Sequence, residues 1–272
     1  MHIQQCIDEG VLDKVSVFPN FGEIDFDRIL KNHRVLISLH LNLVEGKCMA
    51  DHNKIRLIAD ENGNLKHTFI GLFLLSLFQR KMLEEQLYQE IRAQVLYWKE
   101  VLPDTMPFGI DSHQHTHMIP AVMKAMLRVL DDEKIKLSYM RVPNEPLKPY
   151  IKTISLYHTY SAANLIKQWL LKFLWLFNKN RVKERQIPVS QFMGILFSGK
   201  MDEKRVRKIL PEYCRIAEKT GQDIEVLFHP GYTDENDAGL KNRNVVFPEF
   251  YLSKHRKTEY DTLMSSKERG MK

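Results

Sequence analysis

Apolar positions along this chain fall into blocks whose period switches between two and about 3.6. Residues 1–9 have helical spacing and end at Gly10, a normal residue just past a helix terminus. Lys14–Phe18 (Lys-Val-Ser-Val-Phe) alternates as a strand and is broken by Pro19, Asn20 and Gly22. A short helix over about residues 25–32 leads into Arg34–Leu43, which begins as a continuous apolar run. Such a run marks a strand buried on both faces of a parallel sheet. Its end turns polar, with Ser38, His40 and Asn42 on one face.

Val44–His67 reads as a loop region containing Asn62-Gly63-Asn64. Leu87, Ile91, Val95 and Trp98 form one stripe of a helix over Glu84–Leu102. Next comes Gly-Ile-Asp-Ser-His-Gln-His-Thr-His-Met-Ile-Pro at 109–120. A strand over Ile110–His117 would set Asp111, His113, His115 and His117 on one face. Pro120 suits the first turn of a helix to Leu130. Lys136–Val142 reads as a strand ending at Arg141 and stopped by Pro143, and Ala162–Asn178 as a strongly apolar helix. Asp202 caps a helix to Lys219, and the short apolar strand Ile224–Phe228 delivers His229-Pro230-Gly231-Tyr232. Strands alternating with helices predict an α/β fold with parallel strands inside and helices outside, here a (β/α) barrel. The reading is one domain over 1–264, followed by a frayed polar tail at 265–272.

Composition narrows the function classes. Length, at 272 residues, suits one large domain, and 40 basic against 34 acidic residues give a net charge of +6 spread along the chain. Without an aromatic-basic motif, this balance argues against nucleic acid as a partner. Three cysteines with no C-x-x-C pair suit a reducing compartment. The first ten residues lack the basic and apolar regions of a secretory signal. The most apolar segment, Leu165–Phe177, carries Lys167, Gln168 and Lys172 and is too short to span a bilayer, so no stable membrane insertion is expected. The expected location is cytoplasmic. Its apolar surface also makes a homodimer plausible.

Three strand ends therefore present histidines: His40, the run His113–His117, and His229. Imidazole is the commonest divalent-metal ligand, and a carboxylate such as Asp111 can ligate the ion or fix the ring tautomer. Each histidine taken alone has a bland reading: a core residue at 40, a turn at 229, a metal-scavenging surface tract at 113–117. Together they favour a metal-centred site in which bound water is acidified and His229 protonates a leaving group. Arg141 could orient a carboxylate or sit in a surface ion pair.

The segments Ser-Leu-His-Leu-Asn-Leu (38–43), Asp-Ser-His-Gln-His-Thr-His (111–117), Met-Arg-Val-Pro (140–143) and Phe-His-Pro-Gly-Tyr (228–232) resemble the YdjC-like carbohydrate deacetylases in order and spacing. The resemblance implies a distorted TIM-like barrel with one divalent ion, usually Mg2+. It also implies hydrolysis of the acetyl group from an N-acetylated sugar or oligosaccharide, often by a homodimer. It puts the metal on His40 and His113, with His115, His117, Arg141 and His229 lining the pocket. Zn2+ is the ion the histidines alone suit. Family members open with a strand ending in Asn-Ala-Asp-Asp-Phe-Gly, which this sequence lacks, so the expected barrel is short of its first strand and Asp111 is the substitute acid. Two other readings stand beside this one: a non-catalytic sugar-binding or scaffold protein, and a different metal-dependent amidohydrolase.

Overall fold

The computed structural model describes residues 2–22, 26–31, 35–103, 106–231 and 248–268. Helix α1 (His2–Asp8) leads to strand β1 (Lys14–Val17), and α2 (Phe26–Leu30) to β2 (Leu36–Leu41). The 44–67 segment contributes two isolated bridges, Lys47 with Asn64 and Ala59 with Leu65, and a 3-10 turn at His52–Lys54. Helices α3 (Phe69–Phe78) and α4 (Arg80–Val101) then precede β3 (Phe108–Ser112). After a 3-10 segment at His113–Met118 come α5 (Pro120–Asp132) and β4 (Tyr139–Met140). Helices α6 (Lys148–Lys152) and α7 (Ala162–Glu184), strand β5 (Gln191–Met193), α8 (Glu203–Thr220) and β6 (Ile224–Val226) follow. The described part closes with α9 (Pro248–Tyr251) and α10 (Lys254–Glu268).

All pairings between the strands are parallel, as the alternation predicts; the two isolated bridges of the 44–67 segment are antiparallel. Strands β1-β2-β3-β4 form one sheet in sequential order and β5-β6 a second. The fold is thus α/β, but among the described residues the ladder does not close into the expected barrel. Between the outer edges of the two sheets lies a cavity of about 1600 Å³, lined by β1 along its whole length and by all of β6. Polar side chains, described below, span this gap where a closed barrel would have backbone ladder.

The main core lies between the four-stranded sheet and its helices. Ile37, Leu39 and Leu41 from β2, Ile110 from β3, and Leu87, Ile91, Val95 and Trp98 from α4 are buried there. The α4 stripe is the one read from sequence, although the helix starts at Arg80, not Glu84. A second cluster joins Met193, Phe197, Ile209 and Tyr213 under α6 and α8. Gly109 is required by this packing: a Cβ there would stand 2.1 Å from the Tyr139 ring on the paired strand. Gly194, with φ +146°, lets the chain leave β5 against Leu227.

Three expectations differ from the structure, and one helix, α3, is additional to them. The strand read over 110–117 stops at Ser112, because Gln114 and His115 adopt left-handed backbone (φ +53° and +59°). Without period two, Asp111, His113, His115 and His117 do not share a strand face. The strand read over 136–142 is hydrogen-bonded only at Tyr139–Met140. Helix α3, an almost wholly apolar segment, stands at the end of the loop region with Thr68 as its cap. Finally, α10 continues through 265–268, so these residues form the last turn of a helix and not a frayed tail. Its register is held by buried Glu259, Thr262 and Leu263, a periodicity of three to four that the surrounding charges obscure. Positions 1, 25, 32, 34 and 232, which entered the expectations above, lie outside the described residues, as do 269–272.

Candidate functional site

Parallel strands in register bring sequence-distant polar residues side by side. His40 on β2 stands opposite Asp111 on β3, and its Nδ1–H donates to Asp111 Oδ1. The other Asp111 oxygen accepts from Ser16 of β1 at 2.5 Å and from Arg141 Nη1 at 2.9 Å. Arg141, just past β4, also donates from Nη2 to Ser16 Oγ (3.2 Å) and from Nε to Glu225 Oε1 of β6 (2.8 Å). One guanidinium therefore links both sheets across the gap, with each of its three nitrogens engaged. Burial alone would raise the Asp111 carboxyl, but Arg141, His40 and Ser16 outweigh it and hold the group well below the usual carboxylate range. Burial works against the Arg141 charge as well, and Asp111 and Glu225 overcome it.

Asp111 is completely buried and does not line the cavity, so it sits behind His40 as an orienting carboxylate. With Nδ1 bonded to Asp111, Nε2 is the nitrogen His40 has left for a ligand. The His113 ring lies 5.7 Å from that of His40, centroid to centroid, and the edge of Phe18 touches both. His113 Nε2 is 3.2 Å from Glu45 Oε1, whose carboxylate also accepts from Tyr251. Burial depresses the His40 pKa, against the pull of Asp111, favouring the neutral form a metal needs.

The remaining histidines divide. His115 lines the cavity beside Lys167, and its Nδ1 has no hydrogen-bond partner among the described residues. Burial, and next the charge of Lys167, push its pKa well down. His117 does not line the cavity. Its Nδ1 accepts from Ser112 Oγ (2.6 Å) and its Nε2 donates to the Arg141 carbonyl (2.8 Å), so both ring nitrogens are spent inside the protein. His117, expected to line the pocket, thus lies off the cavity wall, and its ring ties the 112–117 turn to the backbone that carries Arg141. His229 lies on the cavity wall beyond β6; its backbone N–H donates to Glu259 of α10 (2.6 Å), and its Nδ1 is 3.4 Å from the same carboxylate.

His40, His113, His115, Arg141 and His229 thus line one cavity. Sequence reasoning missed Ser16, Glu45, Glu225 and Glu259. Two had local signals: Ser16 is the polar centre of an apolar strand, and Glu225 interrupts the apolar run from Ile224 to Phe228. Glu45 follows the polar end of β2 by four residues. Glu259 has no local signal, since it is one charge among many on α10.

His40 and His113 are two imidazoles with ring centroids 5.7 Å apart on the same cavity wall. Among the described residues no group of three His, Cys, Asp or Glu side chains is disposed to hold an ion.

Parallel strands that bring His40, His113 and His229, each beside a buried carboxylate, to one cavity define an α/β protein with a polar site at its strand ends. The chain belongs to the YdjC-like protein family, whose model matches residues 3–271. It is similar to a carbohydrate deacetylase of Danio rerio, 32% identical over 255 residues that cover 87% of this chain and 78% of that one. A carbohydrate deacetylase of Xenopus laevis is 29% identical over 262 residues, with the same coverage. One of Mus musculus is 28% identical over 125 residues, covering 43% of this chain and 36% of the relative.

Proposed function

We propose that this protein hydrolyses the acetamido group of N-acetylated sugars or oligosaccharides with the help of one divalent ion. The observation that carries the reading is the His40–His113 pair, with Asp111 behind His40, on the wall of a cavity that His229 also lines. His40 through Nε2, and His113, would hold the ion, which would supply Lewis-acid polarisation of the amide carbonyl and a more acidic water. Their nitrogens suit Zn2+, while Mg2+, the ion the family resemblance suggests, would need more oxygen ligands than this pair provides.

The chain's own groups have separable tasks. Asp111, kept ionised by Arg141, holds the His40 ring in one tautomer and orientation. His115 and Arg141 shape the wall against which the sugar rests. His229, aligned by Glu259, carries the proton that the departing amine needs. Water adds its oxygen to the acyl carbon and gives up its proton to the solvent, the C–N bond breaks, and the amine takes the proton from His229; the products are acetate and a free amino sugar. The same reading places the protein in the cytoplasm, in keeping with Cys6, Cys48 and Cys214, all unpaired thiols.

A second reading, sugar binding without catalysis, draws on the two-histidine donor set. Acetate release from diacetylchitobiose, with and without added Zn2+ or Mg2+, separates the two. Metal-dependent acetate release supports the deacetylase, and saturable sugar binding with no acetate supports the binding protein.

A further inference from the structure

Helix α7 is apolar on two opposite faces. Leu171, Leu174 and Val182 are buried on one, while Ile166, Trp169, Phe173, Leu176 and Phe177 on the other are 51% to 70% exposed. At 100° per residue those five exposed positions fall within an arc of about 100°. Helix α3 repeats the arrangement: Leu72 is buried, and Ile70, Leu74, Leu77 and Phe78 are 47% to 81% exposed, with Met82 of α4 adding to them at 57%. The ten residues of α3, Phe-Ile-Gly-Leu-Phe-Leu-Leu-Ser-Leu-Phe, hold no charge. A helix apolar all round is ordinarily covered on every side, and an apolar face of this size marks an interaction surface.

Both helices seat on the same turn. The backbone N–H of Phe69 donates to Gln114 Oε1 (3.3 Å), and Asn178 Nδ2 to the Met118 carbonyl (2.7 Å). Both helices therefore pack beside the 113–118 segment, each with an apolar face left uncovered.

Charge selects the occupant. Along one border of the α7 stripe run Lys172, Lys179 and Lys183, all exposed, within about 60° of its edge. Across the whole helix, Glu184 is the one acidic residue, against Lys167, Lys172, Lys179, Arg181 and Lys183. A second copy docking with its α7 antiparallel, through a two-fold axis across the helix, would bring two such lysine rows together, whereas an anionic lipid surface would accept them. Trp169, Phe173 and Phe177 are the side chains that enter a headgroup–acyl boundary, with lysines reaching up to the phosphates. Among the described residues no helix is long and apolar enough to cross a membrane, which leaves a position in the plane of the interface.

We propose that the α3 and α7 faces dock this protein onto an anionic lipid bilayer, without crossing it. The proposal stands apart from the deacetylase reading and is tested without any assay of activity. The full chain is mixed with vesicles of phosphatidylcholine alone, or with phosphatidylglycerol added, then sedimented, while Trp emission is followed. Partition onto the anionic vesicles with a blue shift is expected, because Trp169 is exposed and Trp98 is already buried. Replacing Lys172, Lys179 and Lys183 by Gln lowers partition on the order of a hundredfold. Phe78→Glu and Phe173→Glu, both at exposed positions that leave the circular dichroism spectrum unchanged, each abolish the blue shift. Sedimentation equilibrium of the same samples without lipid completes the test. A failure to partition onto either vesicle overturns the proposal, and so does a dimer that Phe173→Glu dissociates, since the face then belongs to a second copy.

Discussion

Arg141 donates from Nε to Glu225 at 2.8 Å while its Nη1 meets Asp111 at 2.9 Å, so a single buried cation ties the edge of the two-stranded sheet to the centre of the four-stranded one. Removing it leaves two buried carboxylates facing each other without a counter-charge. Arg141→Met is expected to lower stability by about 3–5 kcal/mol, measured by urea unfolding. Adding Glu225→Gln to that variant should recover part of the loss, because it removes one of the stranded charges. An Arg141→Met protein as stable as the parent would show that the sheets are held by something other than this cation.

His117 makes stability fall on mild acidification. Burial pulls its pKa down to about 4, against the hydrogen bond to the Arg141 carbonyl, while an unfolded chain titrates near 6.5. Between these two values the unfolded state binds the proton and the folded state does not, so stability rises with pH there and is lost as pH falls from about 6.5 towards 4. The difference is worth up to about 3 kcal/mol. Unfolding midpoints at neutral pH and near the lower value should therefore separate. His117→Gln should reduce that dependence, leaving the part that His40 and His115, whose pKa values burial also lowers, contribute; an unchanged slope would remove His117 as a source.

The metal reading is probed at His113 and Asp111. His113→Ala is expected to abolish metal binding and acetate release with the circular dichroism spectrum preserved, because the side chain lines the cavity. Asp111→Asn should weaken metal affinity by roughly 10- to 100-fold by freeing the His40 ring, and also lower stability. A fully active His113→Ala variant would take the ion away from this pair.

His229 is separable from the metal pair by comparing turnover with affinity. His229→Ala should lower kcat by roughly 10²–10⁴-fold and leave metal affinity unchanged, as expected for a proton donor. Glu259→Gln should reduce kcat less and move the pH profile, since the carboxylate sits 3.4 Å from Nδ1 and acts through the ring. Equal losses of kcat and metal affinity in His229→Ala would make His229 a ligand.

Local signals carried much of the fold. The stripe of Leu87, Ile91, Val95 and Trp98, the cap at Asp202, which accepts from the Arg205 N–H, and the left-handed Gly221 after α8 all act within a few residues, and all could be read from sequence. The sequence by itself therefore determined the alternation of strands and helices and the strand-end placement of His40 and His229. It did not determine the shape of the 113–118 turn, because two residues with positive φ override an alternation that looks regular in the letters. Nor could it determine the charge network. Ser16 and Asp111 are 95 positions apart and Arg141 and Glu225 are 84 apart; parallel packing brings them together, and the low polarity of the interior then makes their pairing obligatory. Which apolar face of α7 is buried was likewise decided by tertiary packing, because both faces carry the same kinds of side chain and only the neighbouring elements distinguish them.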